Sequence, residues 1–203
     1  QQLGVSQVTE AVTQLDSLTQ QNAAMVEELA AAAQSVREPI DAFELQLGLL
    51  QLEAGKAVLG VCFGGQLMAR GLGGSVAPAP QCEIGWKDVW SDRPEILGNG
   101  PWFQFHYDRW QLPPGAIELA RNPVASQAFV YGNSLAVQFH PELNAAGLKG
   151  WLDWGGDAKV LQDGQDPDIM MAQTIAEEDA ARERTYKLVD AFIDKIAKLK
   201  TNA

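Results

Sequence analysis

Basic residues are scarce in this chain: 15 Lys and Arg stand against 26 Asp and Glu, for a formal charge of -11. A surface of that sign repels phosphate backbones, so no nucleic acid is expected as a direct partner and a small-molecule substrate fits better. Cysteine is nearly absent. Two thiols, Cys62 and Cys82, are too few for a disulfide framework in 203 residues. There is also no long apolar run and no signal-type segment, so neither membrane insertion nor export is expected and the cytoplasm is the default compartment. No cofactor or metal is expected. Histidine is limited to His106 and His140, which leaves two candidates for any imidazole chemistry. What the chain does have is 46% hydrophobic residues, enough for one substantial core with a small appendage.

Two unlike pieces share the chain. Residues 1–43 are rich in Gln, Ala, Ser, Thr and Glu and carry one aromatic residue, Phe43, at their end. Val5, Val8, Val12, Leu15, Thr19, Asn22, Val26, Leu29, Ala33, Val36, Ile40 and Phe43 recur at alternating spacings of three and four, the pattern of a heptad seam. The wording VTEAVTQLDSLTQQNAAMVEELAAAAQSV resembles the return arm of the cytoplasmic helical hairpin of bacterial methyl-accepting chemotaxis receptors. The hairpin tip is not included, so no receptor signalling is implied; a homo-oligomer through this helix is. Pro39 disfavours helical geometry at Glu38, and a new unit begins nearby. There, residues 40–54 read as helix, Gly55 as its stop, and Ala57 to Val61 as a buried strand, which is an α/β signature.

That strand leads into Cys62 and then into Phe63-Gly64-Gly65-Gln66-Leu67-Met68-Ala69-Arg70. Strand, cysteine, glycines and helix form the layout of a nucleophile elbow, with Cys in the place of Ser. A tight turn lifts the sulfur clear of the sheet, and Gly64 and Gly65 allow backbone and substrate to approach closely. The N-terminus of the following helix offers partial positive charge and free N–H groups, surroundings that favour a thiolate nucleophile. An inert buried cysteine is the ordinary account of a lone Cys in an apolar run. Its flanks argue otherwise, because G-x-C-x-G-x-Q arises by chance in such a chain on the order of once in a thousand. Cys82 lies in the loop-like PAPQCEIGW with no base signature around it and reads as structural.

If Cys62 is a nucleophile, its base is His106 or His140. Ser126 to Tyr131 and Ser134 to Phe139 read as strands joined by the two-residue turn Gly132-Asn133, the second ending at His140. Pro141 favours extended geometry at His140, and residues two apart in an extended segment share a side, which brings Glu142 beside the imidazole. Glu142 would then orient the ring and stabilise its charged form.

With those residues in view, GKAVLGVCFGGQLMARGLGG and LAVQFHPE resemble the two signature segments of class I glutamine amidotransferases, and the resemblance runs from about residue 47 to about 194 through EIGW, FHYD and LPPGA. It implies a three-layer, flavodoxin-like α/β domain over residues 44–203, here N-terminally truncated and preceded by a long coiled-coil-type helix over residues 1–43. It also implies glutamine hydrolysis through a γ-glutamyl thioester, the ammonia being released or passed to a synthetase. In those terms Cys62 is the nucleophile, His140 the base and Glu142 its orienter. Gln66 contacts the bound glutamine, the backbone N–H of Phe63 supplies half of the oxyanion hole, and main-chain atoms of Tyr107 and Asp108 grip the substrate. His106 becomes a neighbour of the site. Trp102 and Trp110 are candidates for ordinary core packing, and Arg70, Gly73 and Gly74 read as structural. In the family, strands preceding the nucleophile strand supply the other oxyanion donor. Residues 1–43 do not read as strands, so impaired activity and an open edge on the Ala57 to Val61 strand are expected. An inert fusion oligomerised by its helix and a γ-glutamyl hydrolase are the alternatives. At the C-terminus, Tyr186, Val189, Phe192, Ile193 and Ile196 are expected to close the domain.

Overall fold

Residues 51, 52 and 54–198 of the computed structural model are described here, so the heptad segment and its receptor resemblance lie outside the described residues. The description opens on a helix stop. The N–H of Gly55 bonds to the carbonyl of Leu52 and that of Lys56 to Gln51, both at 3.0 Å, with Gly55 at φ +69°. This is the Schellman pairing, which needs a left-handed residue at the position glycine occupies.

The elements that follow are strand β1 (Leu59–Val61), helix α1 (Phe63–Gly71), strands β2 (Ser75–Ser91), β3 (Gly100–Gln111), β4 (Ile117–Arg121), β5 (Ser126–Tyr131) and β6 (Ser134–Val137), and helices α2 (Ala145–Trp151), α3 (Asp157–Gln162) and α4 (Pro167–Ala191). The chain kinks between α2 and α3 within Leu152–Gly156, with Gly155 at φ +96°, and a π-helical stretch, Phe192–Ala197, follows α4. The strands form one mixed sheet in the order β1-β6-β5-β4-β2-β3, with β1 parallel to β6 and the remaining pairs antiparallel. Among the described residues β1 is an outermost strand whose partner is β6.

Period-two alternation on β5 and β6 divides the interior into layers. Ala128, Val130, Leu135 and Val137 face one core, shared with Leu188, Phe192 and Ile196 at the end of α4 and beyond it. Phe129, Tyr131 and Ala136 face the other, shared with Met68 and Ala69 of α1. Helix on one face, sheet, helix on the other is the three-layer arrangement that the sequence implies. A third cluster, centred on Ile84, Phe103, Leu148, Val160 and Met170, packs α2, α3 and the start of α4 against the β2–β3 hairpin. Trp102 stacks on Phe139 with centroids 4.4 Å apart, and Trp110 meets Phe129 edge-on at 5.3 Å. Both tryptophans are core residues, 1% and 3% exposed.

Several local expectations shift. The β5–β6 hairpin turns on Gly132-Asn133, with Gly132 at φ +59°. The strand ladder of β6 stops at Val137, however, and that of β1 begins at Leu59. Each is two residues shorter than its apolar run, although single hydrogen bonds continue past both ends, Gln138 N–H to the Gln127 carbonyl and Leu135 N–H to the Val58 carbonyl, each at 2.9 Å. Cys82 is in β2 rather than in a loop: residues 79–82 lie opposite Tyr107 alone, a bulge that carries Cys82 on a strand otherwise paired from Ser75 to Val89. At the C-terminus Phe192 and Ile196 are buried, but Tyr186 is 64% exposed and Leu188 takes the core position near it.

Candidate active site

Cys62 stands between β1 and α1 at φ +48° and ψ -108°, a conformation that L-residues avoid. Two bonds hold it there. Its N–H donates to the carbonyl of Val137 at 2.8 Å, and its carbonyl accepts from the N–H of Gln66 at 3.0 Å. Strain of this kind costs about 1–3 kcal/mol and persists where the surroundings over-determine it, typically at functional sites. The glycines divide differently from the sequence reading. A Cβ on Gly65 would meet the Trp110 ring at 2.9 Å and the Val137 carbonyl at 3.2 Å, whereas one on Gly64 would meet nothing within 4 Å. An equally tight approach, against backbone rather than a side chain, is at Gly60, where a Cβ would lie 2.9 Å from both the Gly64 carbonyl oxygen and the Gly65 nitrogen.

Beyond the end of β6 the chain places His140 by its own backbone, whose N–H donates to the Phe103 carbonyl at 2.8 Å. The ring Nδ1 is 2.7 Å from Glu142 Oε1. A carboxylate only accepts, so Nδ1 is the donor and Nε2 is the nitrogen left for chemistry. Three groups that the sequence did not point to secure this loop. Trp151 meets the His140 ring edge-on at 4.8 Å. The Thr185 hydroxyl on α4 donates to the Pro141 carbonyl at 2.7 Å, and Glu178 accepts from the N–H of Ala145 at 3.2 Å.

The charge balance follows from these contacts. Burial opposes a charge on His140 and is the largest single influence. The hydrogen bonds and charges of Cys62 and Glu142 together outweigh it and raise the ring from 6.5 to about 9. Burial pushes Glu142 the other way, but the bond and charge of His140 dominate and hold its carboxyl below the ordinary range. Because the folded ring keeps a proton that the unfolded ring loses, the stability that His140 contributes is fully present below pH 6.5 and is lost as pH rises through about 9. His140→Asn is therefore expected to flatten the decline in melting temperature between those limits by on the order of 5 °C, read by calorimetry across the pH series.

The remaining expected residues are gathered unevenly. Phe63 opens α1, where first-turn N–H groups have no helical partner. Gln66 is buried, and its side-chain N–H₂ donates to the Asp108 carbonyl at 3.1 Å and lies 3.4 Å from Gln138 Oε1. Gln138, absent from the sequence reading, is fully buried, with Nε2 3.7 Å from Cys62 Sγ. Tyr107 and Asp108 are exposed on β3. The Asp108 carbonyl, however, is already engaged by Gln66 and by His106 Nδ1 at 2.9 Å, so it offers a fixed wall rather than an open acceptor. His106 is buried among β2 and β3 side chains. Cys82 donates to Asp163 Oδ1 at 2.8 Å, and that bond, with burial, raises its thiol above the ordinary value. Both influences disfavour a thiolate at Cys82.

Among known proteins, the family model described as glutamine amidotransferase class-I matches residues 43–148, just over half of the chain. The chain is 36% identical over 126 residues to a GMP synthase [glutamine-hydrolyzing] of Aeropyrum pernix, covering 56% of this chain and 25% of that protein. To the GMP synthase [glutamine-hydrolyzing] of Thermomicrobium roseum it is 43% identical over 105 residues, 48% of this chain and 20% of that one. The chain thus spans a quarter or less of the length of these relatives. Its fold is similar to the crystal structure of a glutamine amidotransferase from Thermotoga maritima, with TM-score 0.71, 28% identity, and 77% and 71% of the two chains covered. It is likewise similar in fold to a glutamine amidotransferase from Methylobacillus flagellatus, with TM-score 0.68, 23% identity, and 78% and 71% covered. A strained cysteine elbow beside a carboxylate-oriented histidine, on a fold and a sequence of this likeness, leads to one conclusion: the chain belongs to the class I glutamine amidotransferase family.

Proposed function

We propose that this chain hydrolyses the side-chain amide of glutamine, with Cys62 as nucleophile, His140 as proton carrier and Glu142 as the group that orients it. The observation that carries the reading is the elbow: Cys62 is held at φ +48° by bonds to Val137 and Gln66, next to a ring whose Nδ1 is committed to Glu142. Before the attack His140 already holds the proton taken from Cys62, as its raised pKa favours, and the sulfur attacks the amide carbon. The carbonyl oxygen, now negative, takes the N–H of Phe63 at the helix N-terminus. Collapse of the tetrahedral species breaks the C–N bond while His140 donates its proton, so ammonia leaves and a γ-glutamyl thioester remains. His140 then takes a proton from water, hydroxide attacks the thioester, and glutamate is released with the thiol restored. Glu142 stays a carboxylate throughout and stabilises the charged ring.

The substrate sits against Tyr107 and Asp108, on the wall that Gln66 braces. The likeness to GMP synthases supports an acceptor for the ammonia, a synthetase domain or partner, as the destination of the product. An alkylating glutamine analogue tests the assignment: peptide mapping is expected to find the label on Cys62 and none on Cys82. Labelling of Cys82 in preference would show that the site lies elsewhere.

A further inference from the structure

Behind the proposed glutamine wall runs a buried polar chain that the hydrolytic steps do not use. It consists of Glu83 on β2, Gln104 and His106 on β3, and Gln127 on β5, none more than 4% exposed. The direction of each bond follows from one end. Asn122 Oδ1 accepts from the N–H groups of Val124 and Ala125, which turns its N–H₂ to Glu83 Oε1. Gln127 Nε2 donates to Glu83 Oε2 at 2.9 Å, so Gln127 Oε1 accepts from Gln104 Nε2, also at 2.9 Å. Gln104 Oε1 is thereby turned to His106 Nε2 at 3.1 Å, where Glu83 Oε2 also stands at 3.3 Å. On its other side His106 Nδ1 meets the Asp108 carbonyl at 2.9 Å. Both ring nitrogens thus face oxygens, Nδ1 the Asp108 carbonyl and Nε2 both Gln104 Oε1 and the Glu83 carboxylate.

A buried polar cluster of this kind is a weak source of stability, because desolvation offsets most of what its bonds return. Its far end supplies a reason for it. Asp108 pairs with Pro78 across the β2–β3 ladder, and proline has no N–H to offer. The next residue, Tyr107, faces the four-residue bulge at 79–82. Where β3 passes the active site, then, the sheet does not hold it in the ordinary way. His106 Nδ1 and Gln66 Nε2 hold it instead, both on the Asp108 carbonyl. Gln66 continues to Gln138, and Gln138 to the sulfur of Cys62.

We propose that Glu83 and His106 are positioning residues for the glutamine wall: their pair fixes the Tyr107–Asp108 backbone relative to Cys62 in place of a sheet ladder that lapses there. The inference rests on the reading of that wall as the glutamine site. The test uses the full chain carrying Cys62→Ala as parent and measures glutamine binding by calorimetry, so that it does not depend on turnover. Glu83→Leu/His106→Leu removes both polar partners together, which avoids leaving one unpaired in the core. Glu83→Gln, kept as a second variant, preserves volume and turns one acceptor towards its donors. Each is expected to weaken glutamine binding by about tenfold while the melting temperature shows the chain still folded. In the Cys62 background KM is expected to rise by a similar factor with kcat little changed, a split that general destabilisation does not produce.

Unchanged affinity in a folded variant would overturn the inference and leave the hydrolytic reading intact. Binding by the parent with no hydrolysis by the native chain would do the reverse. A parent that binds no glutamine would sink both.

Discussion

Cys62→Ala is expected to lower glutamate release from glutamine by about 10⁴-fold or more, measured as product formed by purified protein, because removing the nucleophile of a covalent mechanism leaves binding and oxyanion contacts alone to act. A residual rate close to that of the native chain would mean that some other group attacks the amide. The same position allows a second comparison. Cys62 pays a conformational penalty at φ +48° and ψ -108°, a region open to glycine and costly to alanine or cysteine. Cys62→Gly should therefore be as inactive as Cys62→Ala yet about 1 kcal/mol more stable, roughly 2–4 °C in melting temperature for a chain of this size. A glycine variant no more stable than the alanine one would show that the elbow is unstrained.

Gly60→Ala is expected to damage both stability and activity. The added methyl would sit 2.9 Å from the Gly64 oxygen and the Gly65 nitrogen, both backbone atoms, so no side chain can swing aside to make room. The strand must withdraw from the first turn of α1. Overpacking of this kind costs about 1–3 kcal/mol, and a displacement near 1 Å between nucleophile and base costs about 10²-fold in rate. Gly64→Ala is the stability control. Its methyl meets nothing within 4 Å, and alanine is the better helix former, so its melting temperature should equal or exceed that of the native chain. A Gly60→Ala chain that melted with the native one would refute the close approach on which the elbow geometry depends.

Much of the site could be read locally. Cys62 with its helix, and His140 with Glu142, are neighbours in sequence, and strand or turn geometry carries one to the other over at most two residues. Contacts at distance are not legible in this way. The Gln66 amide also bonds to the Asp108 carbonyl, across 42 residues, which no local pattern reports. Thr185 and Glu178, which hold the His140 loop from α4, are 44 and 33 residues from their partners. Trp151 looks like any core tryptophan until its edge is found against the imidazole. Pro, Ala and Gln around Cys82 read as loop, whereas a bulge carries those residues on β2 between two stretches paired with β3.

The order of the strands shows the same division. Alternation along β5 and β6, and a glycine able to take φ +59° between them, determined that hairpin from the chain itself. That β1 runs parallel to β6, bringing the end of one strand to Cys62 and the exit of the other to His140, depends on a pairing between residues 76 apart. So does the buried chain from Glu83 to Asp108, in which each polar group is tolerable only because the next one meets it. Sequence alone thus determined which residues can do the chemistry, since reactivity and backbone preference belong to individual side chains and their near neighbours. Tertiary structure decided which of them face one another, because hydrogen bonds and charges act through space between segments that the order of the chain leaves far apart.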